Sequence, residues 1–263
     1  LVGSEMCIRD SWQILRMFEL FLVGIGTGNP EHITIQARRA IAEAGIILIP
    51  YKGSEKSDLV EVRLKICKEI IGDKKTKIVQ FDLPKRDLSY SYQEGVEKWH
   101  DNVARVWSST IRENCSEGTK VALLIWGDPS LYDSSLRIAE RIKPKLKIQV
   151  FAGITSIQAL TAAHQIPINE VGEPFVVTTG RKLLECGFPQ GVKTAAVMLD
   201  GKCSFQSLRE KNLYIYWGAY LGMENEMILK GWVKDVSKKI IEIRADARNL
   251  NGWIMDSYIL QKR

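Results

Sequence analysis

The sequence has no run of about 18 uninterrupted apolar residues, the length that would indicate a helix crossing a membrane. Its lysines and arginines form no stripe with interleaved aromatic residues, so the pattern typical of nucleic-acid-binding proteins is also missing. The five cysteines are widely spaced without a C-x-x-C pair, which argues against a zinc site and a disulfide framework. These absences favour a cytoplasmic protein that binds neither membrane, nucleic acid nor metal.

What is present fits a globular enzyme or binding protein of one large or two small domains. The 263 residues are 45% hydrophobic and 26% charged, which is ordinary globular usage. The net charge of +6 suits an anionic ligand, although scattered basic side chains are most often solubilising surface. Residues 1–16 start without methionine and show no periodicity, so we expect a non-native or disordered leader before Met17.

Between residues 17 and 153, short apolar runs alternate with amphipathic segments. The run IILIP (46–50) is typical of a strand buried on both faces, and residues 92–114 have the spacing of a long helix. This alternation predicts an α/β domain with a parallel sheet covered by helices. Past Pro167 the pattern changes to strands with fewer and shorter helices, which predicts a second α/β domain, 154–263, with a mixed sheet. We expect the two domains to share a cleft.

The segment FLVGIGTGNP (21–30) is a strand that ends in alternating glycines. A dinucleotide turn would have a third glycine where Asn29 stands and an acidic residue at the end of the second strand, where Pro50 and Tyr51 stand. No G-K-[ST] follows, so a P-loop is excluded as well. The turn either brings backbone against another kind of ligand or packs a strand closely on a helix.

Two further segments repeat the design of strand, glycine and helix start. LLIWGDPSLYDSS (123–135) and FAGITSIQAL (151–160) both leave an apolar strand through a glycine and polar residues. The carboxyl ends of parallel strands meet at one edge of a sheet, where open α/β sheets bind ligands. We therefore expect the three turns to converge on one binding site.

The combination of these motifs resembles the tetrapyrrole (precorrin) methyltransferases of corrinoid biosynthesis. G-x-G-x-G-[ND]-P-[DE]-x-[IL]-T matches Gly24 to Thr34, the GDP loop matches Gly127 to Pro129, and GIT-S matches Gly153 to Ser156. The similarity extends from Phe18 to the C-terminus. Within the family, stretches such as GIGTGNPEHIT, WGDPSLYDS and WGAYLGMENEM are most similar to the deacetylating precorrin-6A synthases.

The resemblance implies two α/β domains that hold S-adenosylmethionine in the cleft between them. Most of these contacts would come from backbone groups, with Asp128 the exception that depends on its side chain. Carried over by position, the cofactor-binding residues are Thr27, Trp126, Gly127, Asp128, Leu131, Thr155, Ser156, Met198 and Gly218.

The activity implied by the resemblance is methylation of precorrin-5 at C1, which gives precorrin-6A with release of acetate. Methyl transfer needs alignment and exclusion of water, whereas acetate release consumes water and would benefit from a base. The candidate catalytic residues are Asp128, His100 and Asp101. For His100 the alternative is a structural helix histidine, and for Asp128 a simple turn cap.

The implied substrate is a polycarboxylate macrocycle, and the family suggests a homodimer. The candidate substrate-binding residues are His32, Lys52, Lys56, Arg86, Asp87, Tyr90 and Arg181. Basic residues near loops pair with carboxylates in some proteins but are more often solvated. Three alternatives stay open: a related methyltransferase acting at another ring carbon, a cofactor-binding module without catalysis, and a dinucleotide-dependent oxidoreductase.

Overall fold

The computed structural model describes residues 18–51, 57–72, 75–116, 118–143, 145–210 and 212–263. They divide into two compact units. The N-terminal unit runs to Gly26 and resumes over Pro30–Ile154, and the C-terminal unit consists of Thr27–Asn29 and Thr155–Arg263. The leader expected at residues 1–16 lies outside the described residues.

In its described part, the N-terminal unit is built on a five-stranded parallel sheet. Its strands are β1 (Glu19–Gly24), β2 (Ile46–Tyr51), β3 (Lys77–Asp82), β4 (Lys120–Ile125) and β5 (Lys147–Phe151). They lie in the order β3-β2-β4-β1-β5, and every neighbouring pair is parallel. The parallel sheet predicted for this part of the chain is confirmed.

Two helices of this unit, Ile35–Glu43 and Tyr92–Asn114, begin at a capping hydroxyl. Thr34 accepts a hydrogen bond from the Ala37 amide, and Ser91 accepts one from the Glu94 amide. The helices are α1 (Ile35–Glu43), α2 (Ser57–Ile71), α3 (Tyr92–Asn114) and α4 (Ser135–Ala139).

Side chains alternate across the sheet and so create a core on each face. On one face, β-strand residues such as Ile47 and Leu124 pack with Ile41 and Ile66 of α1 and α2. On the other face the core is formed with α3 and α4; its members include Leu22, Leu48, Leu123, Val103, Trp107 and Ile138. The central strands are therefore buried on both sides, as their continuous apolar runs predict.

The C-terminal unit contains a mixed sheet, as predicted. Its described strands are β6 (Phe175–Thr179), β7 (Thr194–Met198), β8 (Leu213–Ala219), β9 (Met227–Trp232) and β10 (Asp256–Lys262). They lie in the order β6-β7-β10-β8-β9, with β6 and β7 parallel and the other pairs antiparallel. The helices are α5 (Ser156–His164), α6 (Gly180–Cys186) and α7 (Val233–Asn251).

Two elements of this unit differ from the sequence expectation. The helices were expected to be short, but α7 has 19 residues. Its buried Ile240 and Ala247 are two helical turns apart, so tertiary packing stabilises a segment whose other faces are polar. Strand β9 was not predicted, because Lys230 and Gly231 interrupt its apolar pattern. Its side chains alternate between half-buried and exposed, as an edge strand's do.

No helix in the described part of the chain is both long enough and apolar enough to span a membrane.

Candidate functional site

The three glycine turns meet within the N-terminal unit. A Cβ atom built on Gly24 would lie 2.7 Å from the Gly153 nitrogen and 2.8 Å from the Gly127 carbonyl oxygen. A Cβ on Gly153 would lie only 2.1 Å from that same oxygen. Since no side chain fits between backbones this close, the three turns require glycine for their mutual approach.

A short backbone ladder joins the first two turns. The Gly127 amide donates to the Gly26 carbonyl at 2.7 Å, and the Gly26 amide donates to the Gly127 carbonyl at 3.3 Å. Both residues have positive φ angles, +71° and +64°, which favour glycine. His32 lies against the first turn: a Cβ atom built on Gly26 would lie 2.7 Å from the His32 Cβ.

The Asp128 carboxylate links the second turn to the third by hydrogen bonds. One carboxylate oxygen accepts a hydrogen bond from the Gly153 amide at 2.8 Å, and the other accepts from the Ser130 amide at 2.8 Å. Burial raises the pKa of Asp128, but the bonds from Ser130 and Gly153 outweigh it, and the resulting pKa lies below the usual value. Its carboxylate therefore stays ionised and organises the loop that continues to Leu131, whose amide donates to the Asp128 carbonyl.

The cofactor candidates of the C-terminal unit also lie close together. Gly218 pairs with Ser257 across β8 and β10, and the Val197–Tyr258 pair places Met198 at the next position beside Ser257. The Ser257 hydroxyl is 2.8 Å from that of Ser156 at the start of α5. Ser257 was not predicted, because a lone serine in a terminal strand carries no sequence signal.

Two cofactor candidates of this unit remain, Thr155 and Thr27. Thr155 caps α5, and its hydroxyl accepts from the Ile157 amide at 3.2 Å. Thr27, in the first glycine turn, is buried and groups with the C-terminal unit.

A buried polar network lies next to β7 and β10 in the C-terminal unit. The Asp200 carboxylate accepts hydrogen bonds from the Tyr258 hydroxyl at 2.5 Å and from the Ser204 amide at 2.6 Å. Asp256 forms an ion pair with Arg244 at 2.9 Å, in which the side chains are 9% and 13% exposed. Burial raises the pKa of Asp256, with Arg244 acting in the opposite direction. The network fixes the positions of β7, β10 and α7.

The base candidates His100 and Asp101 do not form a pair. His100 is buried in α3, and neither ring nitrogen has a hydrogen-bond partner among the described residues. Burial lowers its pKa, and the Arg141 charge adds to this effect. The Asp101 side chain is half exposed and binds Arg141 at 2.7 Å. Consecutive helical residues point about 100° apart, so adjacency in sequence does not bring these side chains together.

Several rim candidates share a surface pocket of the N-terminal unit. The pocket, of about 330 Å³, is lined by Asp87, Tyr90 and Asp101 together with Lys98 and Arg105. The Lys98 ammonium lies 4.0 Å from the centre of the Tyr90 ring. Asp101 thus groups with the rim residues rather than with His100.

The other substrate candidates are dispersed. Arg86 stacks on Tyr92 at 5.1 Å, and Arg181 lies on the exposed surface of α6 in the C-terminal unit, 3.8 Å from Glu185. Lys52 and Lys56 lie outside the described residues.

Trp126, one of the predicted cofactor-binding residues, contacts a residue that was not predicted from the sequence. The guanidinium of Arg63 lies 5.0 Å from the centre of the Trp126 ring. Arg63 comes from the middle of α2 and is 8% exposed. Nothing in its local sequence distinguishes it from a solvated helix arginine, so only the packing of α2 on the sheet identifies it. Among the described residues, no cluster of three or more metal-ligating side chains is present.

Comparison with known proteins places this arrangement in a family. Residues 19–237 match the family model of the tetrapyrrole (corrin/porphyrin) methylases. The chain is 44% identical to a precorrin-6A synthase (deacetylating) of Sinorhizobium sp. over 251 residues, covering 94% of this chain and 96% of that protein.

Solved structures agree with this assignment. A cobalamin synthesis related protein (CobF) of Corynebacterium diphtheriae has a TM-score of 0.78 and 38% identity, covering 94% of this chain and 99% of its own. A uroporphyrin-III C-methyltransferase of Thermus thermophilus, solved with S-adenosylhomocysteine, has the same fold at 18% identity, with a TM-score of 0.58 over 93% and 97% of the two chains. The chain belongs to the tetrapyrrole methylase family, as its three glycine turns predict.

Proposed function

We propose that this protein is an S-adenosylmethionine-dependent C-methyltransferase of cobalamin biosynthesis that methylates precorrin-5 at C1 and releases acetate, giving precorrin-6A. The observation that carries this proposal is the 44% identity to a deacetylating precorrin-6A synthase along nearly the whole of both chains. We further propose that it works as a cytoplasmic homodimer on a polycarboxylate tetrapyrrole.

The residues present suit a methyl donor that is held largely by backbone groups. Gly24, Gly127 and Gly153 bring three strand ends into backbone contact, with no side chain between them. Asp128 fixes two of these turns through its carboxylate. In the C-terminal unit, Ser156 and Gly218 lie beside Ser257. We propose these residues, with Thr27, Trp126, Leu131, Thr155 and Met198, as the cofactor-binding set.

The chemistry places modest demands on side chains. Held by these residues, S-adenosylmethionine would supply a methyl group on a positively charged sulfur, and the carbon–sulfur bond would break as the ring carbon gains its new carbon–carbon bond. Such an in-line displacement depends on holding the reacting atoms about 3–3.5 Å apart and on excluding water. The rigid glycine turns and the apolar strand ends serve this purpose.

Acetate release requires a water molecule and a proton acceptor. Of the base candidates, Asp101 lines an open pocket with Asp87 and Tyr90, whereas His100 is buried without a partner among the described residues. The location of Asp101 therefore supports it over His100 as the residue to test first.

The experiment is incubation of the purified protein with precorrin-5 and methyl-labelled S-adenosylmethionine. We expect one label per tetrapyrrole by mass spectrometry and one acetate per turnover. Methylation without acetate would point to a relative that acts at another ring carbon. Calorimetry with S-adenosylhomocysteine and with NADP provides the control, since binding of NADP alone would reject a methyltransferase.

A further inference from the structure

The N-terminal unit has a cavity between β2 and β4 whose wall shares Trp126 with the proposed cofactor set. β2 and β4 are neighbouring strands, and the chain leaves them toward opposite edges of the sheet. β2 leads through α2 to β3, and β4 leads through α4 to β5. Their pairing ends at Leu48 and Leu123, before either strand ends. In open α/β sheets, ligands bind at this kind of switch point, outside the carboxyl ends of the strands.

The cavity is small and mostly apolar. Its volume is about 250 Å³, and its walls come from both helical layers as well as from the strand ends, including Pro50, Leu59, Phe81, Val103, Ile125 and Ile138. Pockets for drug-sized ligands are larger, roughly 300–1,000 Å³. The space therefore suits a side arm or a small acid rather than a whole macrocycle.

Arg63 supplies a positive charge to this wall. Its Nε atom donates to the Leu124 carbonyl at 3.3 Å, and one terminal nitrogen donates to the Leu59 carbonyl at 3.2 Å. A guanidinium has five N–H groups in all, so Arg63 has more donors than these two carbonyls use. Burial lowers the pKa of Arg63 to about 10, while the nearby Asp133 acts in the opposite direction, so the side chain is charged at neutral pH.

Two indoles add further donors. Trp107 and Trp126 both line the cavity, and neither indole nitrogen has a hydrogen-bond partner among the described residues. An indole N–H can only donate. Asp133 also lines the cavity, and one of its carboxylate oxygens already accepts from the Ser135 amide at 2.6 Å. Asp133 offsets part of the Arg63 charge, but the two indole donors still lack an acceptor, so a further acceptor with negative charge fits this wall.

We propose that this switch-point cavity binds a carboxylate, with Arg63 as its ionic partner and the indole N–H groups of Trp107 and Trp126 as donors. A sulfonium is disfavoured there, because Arg63 carries the same charge. If the proposed function holds, the carboxylate has two sources: an acetate or propionate arm of the tetrapyrrole, or the acetate that the reaction releases.

The test is an NMR titration of the intact protein, labelled with ¹⁵N-tryptophan, using sodium acetate at constant ionic strength. We expect two of the seven indole N–H signals to shift saturably, and the Trp107→Phe and Trp126→Phe variants to identify them. Acetamide, which has the same shape without the charge, should leave both signals in place. Because this experiment needs no turnover, it stands apart from the test of the methyltransferase activity.

The Arg63→Met variant should weaken acetate binding by about tenfold or more, as expected for losing a hydrogen bond to a charged group. Arg63→Lys keeps the charge and should bind more tightly than Arg63→Met. Equal shifts with acetate and acetamide, or no shift at either indole, would overturn the proposal in the wild-type protein, whether or not the variants fold.

Steady-state kinetics then distinguish the two possible sources of the carboxylate. If the site holds a tetrapyrrole arm, acetate should raise the KM for precorrin-5 without changing kcat. If it holds the released acid, acetate should lower kcat. Inhibition that is the same in Arg63→Met as in the wild type would contradict both versions.

Discussion

Gly153→Ala tests whether the meeting of the three turns is a physical requirement of the fold. The new Cβ would lie 2.1 Å from the Gly127 carbonyl oxygen, roughly 1 Å or more short of the 3.4 Å at which ordinary contact begins. The obstructing atoms are backbone, so one of the turns has to move. That movement also breaks the 2.8 Å hydrogen bond between the Gly153 amide and Asp128.

The cost follows from these two effects. Overpacking costs typically about 1–3 kcal/mol, and loss of a hydrogen bond to a charged group costs about 1.5–3 kcal/mol. We therefore expect Gly153→Ala to lower the free energy of unfolding by about 2.5–6 kcal/mol, a large part of the roughly 5–15 kcal/mol typical of native proteins. Binding of S-adenosylhomocysteine should weaken as well.

Urea unfolding and calorimetry measure both quantities. Gly201→Ala is the matched control, since its Cβ would have no atom within 4 Å and its φ is not in the positive range. It should change stability by about 1 kcal/mol or less. A Cβ on Gly24 clashes with the same Gly127 carbonyl oxygen, so the double variant Gly24→Ala, Gly153→Ala should cost less than the sum of the two. A Gly153→Ala protein as stable as Gly201→Ala would refute the reasoning.

Three further predictions concern charge. Asp128→Asn should lower the free energy of unfolding by about 1–3 kcal/mol at neutral pH. Because the pKa of Asp128 is lowered in the folded protein, the difference between wild type and variant should shrink below about pH 4, which urea unfolding at several pH values would measure. Because the pKa of His100 is lowered in the folded protein, the wild-type free energy of unfolding should fall as the pH drops below about 6.5. His100→Leu should remove up to about 1.4 kcal/mol per pH unit from this dependence of stability on pH. Lost turnover with an unchanged pH dependence of stability would instead make His100 the base. Arg244→Met leaves the buried Asp256 carboxylate unpaired and should cost about 3–5 kcal/mol in thermal or urea unfolding, whereas Lys238→Met, on the exposed surface of the same helix, should cost about 0.5 kcal/mol or less.

Local pattern was sufficient for much of the fold. The apolar runs at Ile46–Tyr51 and Lys120–Ile125 predict buried parallel strands because both faces of a covered sheet exclude water. The glycine turns were identified for a similar reason: where an added Cβ atom would lie within 3 Å of another backbone, no residue other than glycine fits. Strand β9 and the full length of α7 were missed, because each is stabilised by packing against elements distant in the chain.

The same distinction between local sequence pattern and tertiary packing applies to the candidate site. Asp128 was found because its loop has a recognisable pattern, but its bond to the Gly153 amide joins residues 25 positions apart. Arg63 and Ser257 carry no pattern at all, and only the placement of their helix and strand brings them to Trp126 and Ser156.

The sequence by itself determined the two α/β sheets, the three glycine turns and the family, because backbone sterics and alternating burial act over a few residues. The tertiary structure alone decided which side chains meet: it separated His100 from Asp101 through the rotation of a helix, and it brought Arg63 and two indoles to one cavity. The physical reason is that burial and hydrogen-bond pairing depend on neighbours in space, which local sequence does not encode.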